Sequence, residues 1–272
     1  TQSDYQDLQG RGGEIKKIVP GETGLIFQEH SIRRMSYVGP PLIFRIDEVE
    51  RDRGCYAPNS VVWTGDVVFY YSHDGFYMKQ GDNLSTPIGS EKIDRYIAND
   101  FDTSDINSMR GAIDRRNKIV AWCFPSLSKG ANQVLIYRWD VGRWSLVDQH
   151  AEFLLEQVTA SYTLDDLDTV LADIDTASIS VDSDAYLGGV LSLGAFSSTH
   201  ELSTFDGTAL DAEIETGELL GTSRSSVKSA RPLCDGTTTL SAGTRDNQND
   251  NYTYGSAQSE NAKGEMNFRT SA

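Results

Sequence analysis

The sequence lacks the features that define several classes of protein. It has only three cysteines, Cys55, Cys123 and Cys234, which lie far apart and form no C-x-x-C pair. An odd number of widely spaced cysteines argues against a disulfide framework and against a zinc site, so we expect small, buried, hydrophobic side chains at these positions. No apolar run approaches the ~20 residues that a bilayer-spanning helix needs. No signal peptide opens the chain.

The motifs of common enzyme classes are also missing. The chain has no G-x-S-x-G nucleophile elbow, no phosphate-cradling loop and no dinucleotide fingerprint. Ser72, His73 and Asp74 are consecutive, but a catalytic triad needs side chains that converge, and neighbours in a strand point to opposite faces. We therefore interpret S-H-D-G as a hairpin turn, and we predict no enzymatic activity, no catalytic residue and no cofactor.

Metal-binding patterns are weak. The four histidines occur singly, without H-x-H or H-E-x-x-H spacing, at His30, His73, His150 and His200. Two acidic pairs could offer oxygens to Ca²⁺, but they lack the glycine and the closing glutamate of an EF-hand; they are Asp173/Asp175 and Asp182/Asp184. The same carboxylates could serve a glycosidase, whose paired geometry a sequence does not reveal. We predict no metal site.

Negative charge is concentrated in one segment. The net charge is −16, and residues 144–223 contain sixteen Asp or Glu and no Lys or Arg, whereas the rest of the chain has 24 acids and 24 bases. Such a segment is usually a solvated face. It can also be a surface that repels polyanions, and it is not the basic groove of a nucleic-acid-binding protein.

Short apolar stretches separated by Gly, Asp and Asn predict a chain of strands and turns. The predicted strands are 25–28, 32–38, 60–63, 67–71, 76–80, 118–124, 132–140 and 143–148, with a hairpin at 191–207 and the stretch 211–219 after it. The three strands between residues 60 and 80 make an antiparallel meander, which is most of one propeller blade.

Two stretches have the pattern of helices. Residues 90–101 place Ile93, Tyr96 and Ile97 on one face behind a capping Ser90. The acidic stretch 163–174 is the second candidate, with Thr163 as its cap.

A loose repeat links these elements. An apolar strand, a polar turn and an aromatic strand recur around Tyr77, Trp144 and Phe205, at spacings of 67 and 61 residues. These spacings exceed the ~40–50 residues of familiar propeller repeats. We predict a mainly β fold: a β-propeller-like meander of antiparallel strands with one or two short helical insertions. The expected blade core is Tyr37, Trp63, Phe69, Tyr71, Phe76, Trp139 and Trp144.

The predicted organisation has three parts. Residues 1–20 form an N-terminal extension or the end of a preceding strand region. Residues 21–230 form the propeller-like domain, with an acidic insertion near 150–190. Residues 231–272 form a C-terminal β-rich segment whose set of strands we expect to be incomplete.

Several phrases resemble one family. They are GLIFQEHSIRRMSYVGPPLIFRID, GCYAPNSVVWTGDVVFYYSHDGFYMKQGDNLSTPIGSEKIDRYI, RWDVGRWS and HELSTFDGTALDAEIETGE. Their order resembles the tail nozzle or hub proteins of short-tailed bacteriophages, including those called DNA-stabilisation proteins. The resemblance covers roughly residues 21–245. Its most specific part, residues 54–97, contains G-C-x-A-P-x-S-V, D-G-F-Y and P-I-G-x-E-x-I-D-R.

The resemblance implies a structural protein of the virion, made in the cytoplasm of the bacterial host. It implies a β-propeller subunit in a ring, usually a homo-hexamer, below the portal and adaptor proteins. Such a ring conducts double-stranded DNA without binding it specifically, takes no small-molecule substrate and offers docking surfaces to tail fibres or spikes. The chain departs from the family at both ends, since it lacks an initiator Met and stops after N-F-R-T-S-A.

Contacts of Lys or Arg with phosphate would hold DNA back, so we expect part of the acidic segment 144–223 to line or rim the channel. Two alternatives stay open. One is a carbohydrate-binding or glycan-cleaving receptor-binding propeller of a phage tail, and the other is a cellular scaffold of propeller type.

Overall fold

The computed structural model describes residues 6–147, 149–158, 191–205, 211–218, 226–234 and 236–271. The chain divides into two compact units, Thr1–Thr208 and Ala209–Ala272. The predicted helix at 163–174 and the aspartate pairs at 173/175 and 182/184 lie outside the described residues. No helix in the described ranges is long and apolar enough to cross a membrane.

The described residues of the first unit form four successive antiparallel sheets, and within each sheet the strands follow one another in chain order. Sheet 1 contains β1 (Ile15–Val19), β2 (Gly24–Gln28), β3 (Ser31–Tyr37) and β4 (Phe44–Arg51). Sheet 2 contains β5 (Val62–Thr64), β6 (Val67–Ser72), β7 (Gly75–Gln80) and β8 (Thr86–Pro87). Two-residue turns join β2 to β3, β5 to β6 and β6 to β7, and longer loops join the other neighbours.

The same arrangement continues in the next two sheets. Sheet 3 contains β9 (Arg110–Asp114), β10 (Ile119–Pro125), β11 (Asn132–Arg138) and β12 (Arg143–Val147). Sheet 4 contains β13 (Phe153–Val158), β14 (Leu191–Phe196) and β15 (Leu202–Thr204). The mainly β, antiparallel fold is therefore confirmed, and the hairpin predicted at 191–207 is confirmed over residues 191–204, whereas residues 211–218 form no strand.

The repeat that we predicted is wrong in both phase and length. The four sheets begin at residues 15, 62, 110 and 153, so successive sheets start 47, 48 and 43 residues apart. Tyr77 lies on a third strand, Trp144 lies on a fourth strand and Phe205 follows β15, so these aromatic residues are not equivalent. The prediction used these aromatic residues to mark the repeat. They occupy different positions relative to their sheets, so the distances between them do not measure the repeat length.

The sheets pack face to face in chain order, and sheet 2 is buried on both faces. Along β6, Val68 and Tyr70 pack with residues of sheet 1, whereas Phe69 and Tyr71 pack with residues of sheet 3. Because side chains alternate between the two faces of a strand, a strand between two sheets must be apolar throughout. This explains the unbroken run V-V-F-Y-Y.

The three layers of core differ in side-chain size. Aromatic rings fill the layer between sheets 2 and 3, where Trp122 is completely buried and its ring centroid lies 4.7 Å from that of Phe76. Mostly small side chains fill the layer between sheets 3 and 4: Ala112, Ala121, Cys123, Val134, Ala151, Leu154, Leu193 and Ala195. Less apolar area is buried there, so this layer contributes less to stability.

The helix α1 (Asp94–Asp100) begins later than we predicted, and Ser90 is not its cap. The backbone N–H groups of Lys92, Ile93 and Asp94 donate instead to the carbonyl oxygen of Gly89, so a turn precedes the helix. Ile93 and Ile97 are buried against the core between sheets 2 and 3, and Tyr96 packs beside them, which confirms the predicted apolar face.

The predicted core is confirmed in its centre and wrong at one end. Phe69, Tyr71 and Phe76 are buried, while Trp63, Trp139 and Trp144 are partly buried against the same clusters. Tyr37 is 68% exposed, because it lies at the tip of the β3–β4 hairpin, beyond the reach of sheet 2. Two of the cysteines are buried as predicted, but Cys234 is exposed.

The second unit contains short paired strands. The longest pair joins β16 (Ser226–Ala230) to β21 (Met266–Ser271), and two smaller pairs follow: β17 (Thr239–Leu240) with β20 (Gln258–Ser259), and β18 (Gly243–Thr244) with β19 (Thr253–Tyr254). Met266 and Phe268 are its buried apolar residues among those described.

The aromatic layer should dominate stability. We expect Trp122→Ala to lower the free energy of unfolding by about 3–5 kcal/mol, because it removes a buried ring and the hydrogen bond from Trp122 Nε1 to the carbonyl oxygen of Ser60 (2.9 Å). The control is Trp139→Ala, whose ring is half-exposed and should cost about 1–2 kcal/mol. Urea unfolding measures both, and equal losses would contradict this account of the core.

Candidate functional site and interaction surfaces

The S-H-D-G segment is a two-residue turn, as predicted. β6 ends at Ser72 and β7 begins at Gly75. The Asp74 carboxylate accepts a hydrogen bond from the Tyr77 hydroxyl (2.6 Å), whereas the His73 ring packs on Tyr56 with centroids 4.5 Å apart. Burial, together with the hydrogen bond to Asp74, raises the pKa of Tyr77 to about 12. Neither Asp74 nor His73 is engaged with Ser72 to activate it.

The G-C-x-A-P-x-S-V motif joins three sheets. A Cβ on Gly54 would lie 2.2 Å from the carbonyl oxygen of Gln28, so only glycine allows this approach to β2. The Ser60 hydroxyl accepts from the backbone N–H of Tyr71 (2.9 Å) and donates to the carbonyl oxygen of Ala57 (2.7 Å). Its backbone oxygen accepts from the Trp122 indole of sheet 3. The motif is therefore structural.

The D-G-F-Y and P-I-G-x-E-x-I-D-R motifs meet at one carboxylate. Asp94 accepts a hydrogen bond from the backbone N–H of Phe76 (3.0 Å). A Cβ on Gly75 or Gly89 would lie 2.3 or 2.0 Å from the Asp94 carboxylate. Burial raises the pKa of Asp94, the hydrogen bond from Phe76 opposes that rise and the charge of Asp74 adds to it.

A buried polar cluster ties sheet 1 to sheet 2. The carboxylate of Glu50 accepts from the hydroxyl (2.6 Å) and the backbone N–H (3.1 Å) of Ser85, and its Oε2 lies 3.8 Å from Lys79 Nζ. The Tyr70 hydroxyl donates to Ser85 Oγ (2.7 Å). Burial lowers the pKa of Lys79, which the charge of Glu50 opposes. Each member of the cluster has a partner, so it holds the sheets together and offers no free group to a ligand.

The first strands of the four sheets converge on one groove. Its wall includes Lys17 of β1, Trp63 of β5, Arg110 of β9 and Glu156 of β13, and its volume is about 270 Å³. β9 contacts both β5 and β13, and β1 contacts the 3₁₀ turn Pro58–Ser60 that leads into β5. The stacking of the sheets therefore creates the groove from residues that are far apart in the sequence.

The groove is cationic in a strongly acidic protein. The guanidinium of Arg110 lies 4.7 Å from the ring centroid of Phe153, and Arg115 Nε lies 3.6 Å from Glu156 Oε1. Lys17 and Arg110 have no acidic partner among the residues that the structure describes. Sequence reasoning missed this site because its bases lie on strands of separate sheets, so no local motif marks it.

The β3–β4 hairpin ends in an exposed apolar tip, residues 37–44 (Y-V-G-P-P-L-I-F). Its five large side chains are between 43% and 68% exposed: Tyr37, Val38, Leu42, Ile43 and Phe44. The tip is ordered, since the Val38 N–H donates to the carbonyl oxygen of Ile43 (2.9 Å) and the rings of Tyr37 and Phe44 lie edge to face, 5.9 Å apart. Contiguous exposed apolar patches are a feature of surfaces at which proteins contact partners.

The described carboxylates of the acidic segment are partly paired. Glu152 accepts from Nδ1 of His200 (2.8 Å), and Glu218 pairs with Arg245 in the second unit. The described parts of the chain contain no group of three His, Cys, Asp or Glu side chains arranged to hold a metal ion. The histidines His30, His73, His150 and His200 are on the surface.

No known protein family matches the chain, and no curated protein matches it either.

The Asp94 contact is testable by a double-mutant cycle. We expect Gly89→Ala to cost about 1–3 kcal/mol by overpacking and Asp94→Ala to cost about 1–3 kcal/mol by leaving the buried Phe76 N–H unpaired. Removing the carboxylate makes room for the new methyl group, so the double variant should lose at least ~1 kcal/mol less than the sum. Chemical unfolding measures the cycle, and strict additivity would rule the contact out.

The S-H-D-G turn gives a second test. His73→Asn keeps a residue that suits the turn and removes only the ring contacts of an exposed side chain, so it should cost less than about 1.5 kcal/mol and leave assembly intact. Thermal unfolding and sizing chromatography check the variant against the wild type. A large loss of either property would show that His73 does more than turn the chain.

Proposed function

We propose that this protein is a structural component of a virion, a ring-forming tail nozzle or hub subunit of a short-tailed bacteriophage. In this role it extends the portal–adaptor channel, retains and conducts the genome, and supports the docking of fibres or spikes. It performs no catalysis. The motifs between residues 54 and 97 support the proposal, because each one has a structural role in the contacts between the sheets.

We infer that the first unit is β-propeller-like. Three features support this inference: four sheets packed face to face in chain order, successive starts 43–48 residues apart, and first strands that meet at a common groove. A repeat of about 40–50 residues and radially packed meanders are typical of propellers. The short helix α1 is an insertion between sheets 2 and 3.

The observation that carries the ring proposal is the apolar tip at residues 37–44. It belongs to sheet 1, at one end of the order of sheets, and its side chains find no cover within the described chain. Residues 11–53 carry eight bases and seven acids, whereas residues 144–223, which include sheet 4, carry sixteen acids and no base. The two segments of sequence thus differ in charge, which favours contact between sheet 1 of one copy and the acidic segment of the next.

A contact between two different surfaces is heterologous, and heterologous contacts close into rings when the rotation permits. A hexamer agrees with the family resemblance. Within such a ring, the acidic segment would line or rim the channel and keep DNA from adhering, because few phosphate contacts would form.

Native mass spectrometry and cryo-electron microscopy test the proposal. We expect a closed ring, with six copies favoured, and carboxylates of residues 144–223 at the channel. A strictly monomeric protein would overturn the ring proposal, and carboxylates confined to the outer surface would overturn the role of the acidic segment.

Paired variants locate the interface. Leu42→Asp with Ile43→Asp should weaken assembly at least about tenfold, because it introduces charge into a buried apolar contact. The control is Leu127→Asp, which alters a side chain that is 62% exposed in the β10–β11 connection. Assembly of the tip variant at the wild-type concentration would show that the ring interface lies elsewhere.

A further inference from the structure

We propose that the groove between the first strands binds an acidic saccharide, a sugar that carries a carboxylate or a sulfate group. Its anionic group meets Lys17 and Arg110, and the face of its ring lies on Trp63. The inference rests on the groove alone and does not depend on assembly into a ring.

The positive charges of the groove indicate the charge of its ligand. Arg115 has Glu156 as its partner, but Lys17 and Arg110 have no carboxylate partner in the part of the chain that the structure describes. Both side chains are half-buried in a concave site, where charge interactions are stronger than in open water. Two half-buried bases that face one cavity, with no carboxylate partner among the described residues, therefore indicate an anionic ligand.

The uncharged part of the wall indicates the rest of the ligand's chemistry. Trp63 packs against the core between sheets 1 and 2 with part of its ring and lines the groove with the rest, beside Val61 and Val62. The amide nitrogen of Asn59 donates to the carbonyl oxygen of Asn107 (2.8 Å), which leaves its oxygen to accept from a hydroxyl. Aromatic surface next to a few fixed polar groups suits a small ligand with one apolar face and several hydroxyls.

The size of the groove restricts the ligand. Ligand sites of drug-sized molecules begin near ~300 Å³, and this groove has about 270 Å³, so it accommodates a short saccharide unit. A nucleic-acid strand needs a longer row of phosphate contacts than these few bases provide.

The carboxylate content of the groove indicates binding without cleavage. Glu156 is the one carboxylate among the described residues that line it, and this group is engaged with Arg115. Glycoside hydrolysis by the common mechanisms requires two carboxyl groups on either side of the bond. We therefore expect the saccharide to be bound and released unchanged.

Isothermal titration of the full chain tests the proposal with three probes: a glucuronic-acid disaccharide, a sulfated disaccharide and a neutral glucose disaccharide. We expect at least one acidic probe to bind at least tenfold more tightly than the neutral one, with an affinity that falls as salt is added. The better of the two acidic probes identifies the anionic group. Equal binding of all three, or binding of none, would overturn the proposal.

Variants assign the residues. Lys17→Met and Arg110→Gln should each lower the affinity for the acidic saccharide about tenfold, and Trp63→Leu should lower it as well while leaving the binding of inorganic phosphate unchanged. The matched control is Lys129→Met, an exposed lysine in the β10–β11 turn that should have no effect. If Trp63→Leu retains full saccharide affinity, the groove binds anions only and the sugar assignment is wrong.

Two further measurements separate saccharide binding from folding and from assembly. The unfolding midpoint of each variant separates lost binding from lost folding. Titration of the Leu42→Asp, Ile43→Asp variant separates the groove from the ring, because saccharide affinity should be the same whether or not the protein assembles.

Discussion

The burial of sheet 2 on both faces is the constraint on which the rest of the first unit depends. Consecutive residues of β6 pack in opposite directions, Tyr70 toward sheet 1 and Tyr71 toward sheet 3. Loss of either of these two sheets would therefore expose aromatic surface on sheet 2. Ser60 and Asp94 hold the surrounding segments at the required distance, and Gly54, Gly75 and Gly89 leave room for the close contacts. The order of the sheets, and thus the groove at their first strands, follows from this double burial.

Sequence patterns predicted most strands because local signals define them. Alternating apolar residues and turns such as His73–Asp74 depend on residues close together in the chain. The failures arose where distant residues decide the outcome. Ser90 has the chemistry of a cap, yet Gly89 accepts the bonds, because the Asp94 carboxylate packs against this glycine. Tyr37 is the type of residue expected in a core, but it lies at the hairpin tip beyond sheet 2 and is therefore exposed.

The candidate site illustrates the same limit. Lys17, Arg110 and Trp63 belong to three different sheets, so no spacing in the sequence relates them. The motifs between residues 54 and 97 hold the sheets together. The stretches 24–47 and 54–97 also include the apolar tip and Trp63 of the groove, whereas Lys17 and Arg110 lie outside both stretches.

The layer of small side chains between sheets 3 and 4 has a consequence for motion. Because Ala112, Ala121 and Ala195 bury little apolar area, the last sheet is held less firmly than the others. Local opening starts where the fewest apolar contacts must be broken, so backbone amides of β13 and β14 should exchange their hydrogens before those of β6 and β10. The first unit thus combines an aromatic core that resists local opening with a sheet 4 that opens more readily. Sheet 4 can open while the aromatic core stays folded.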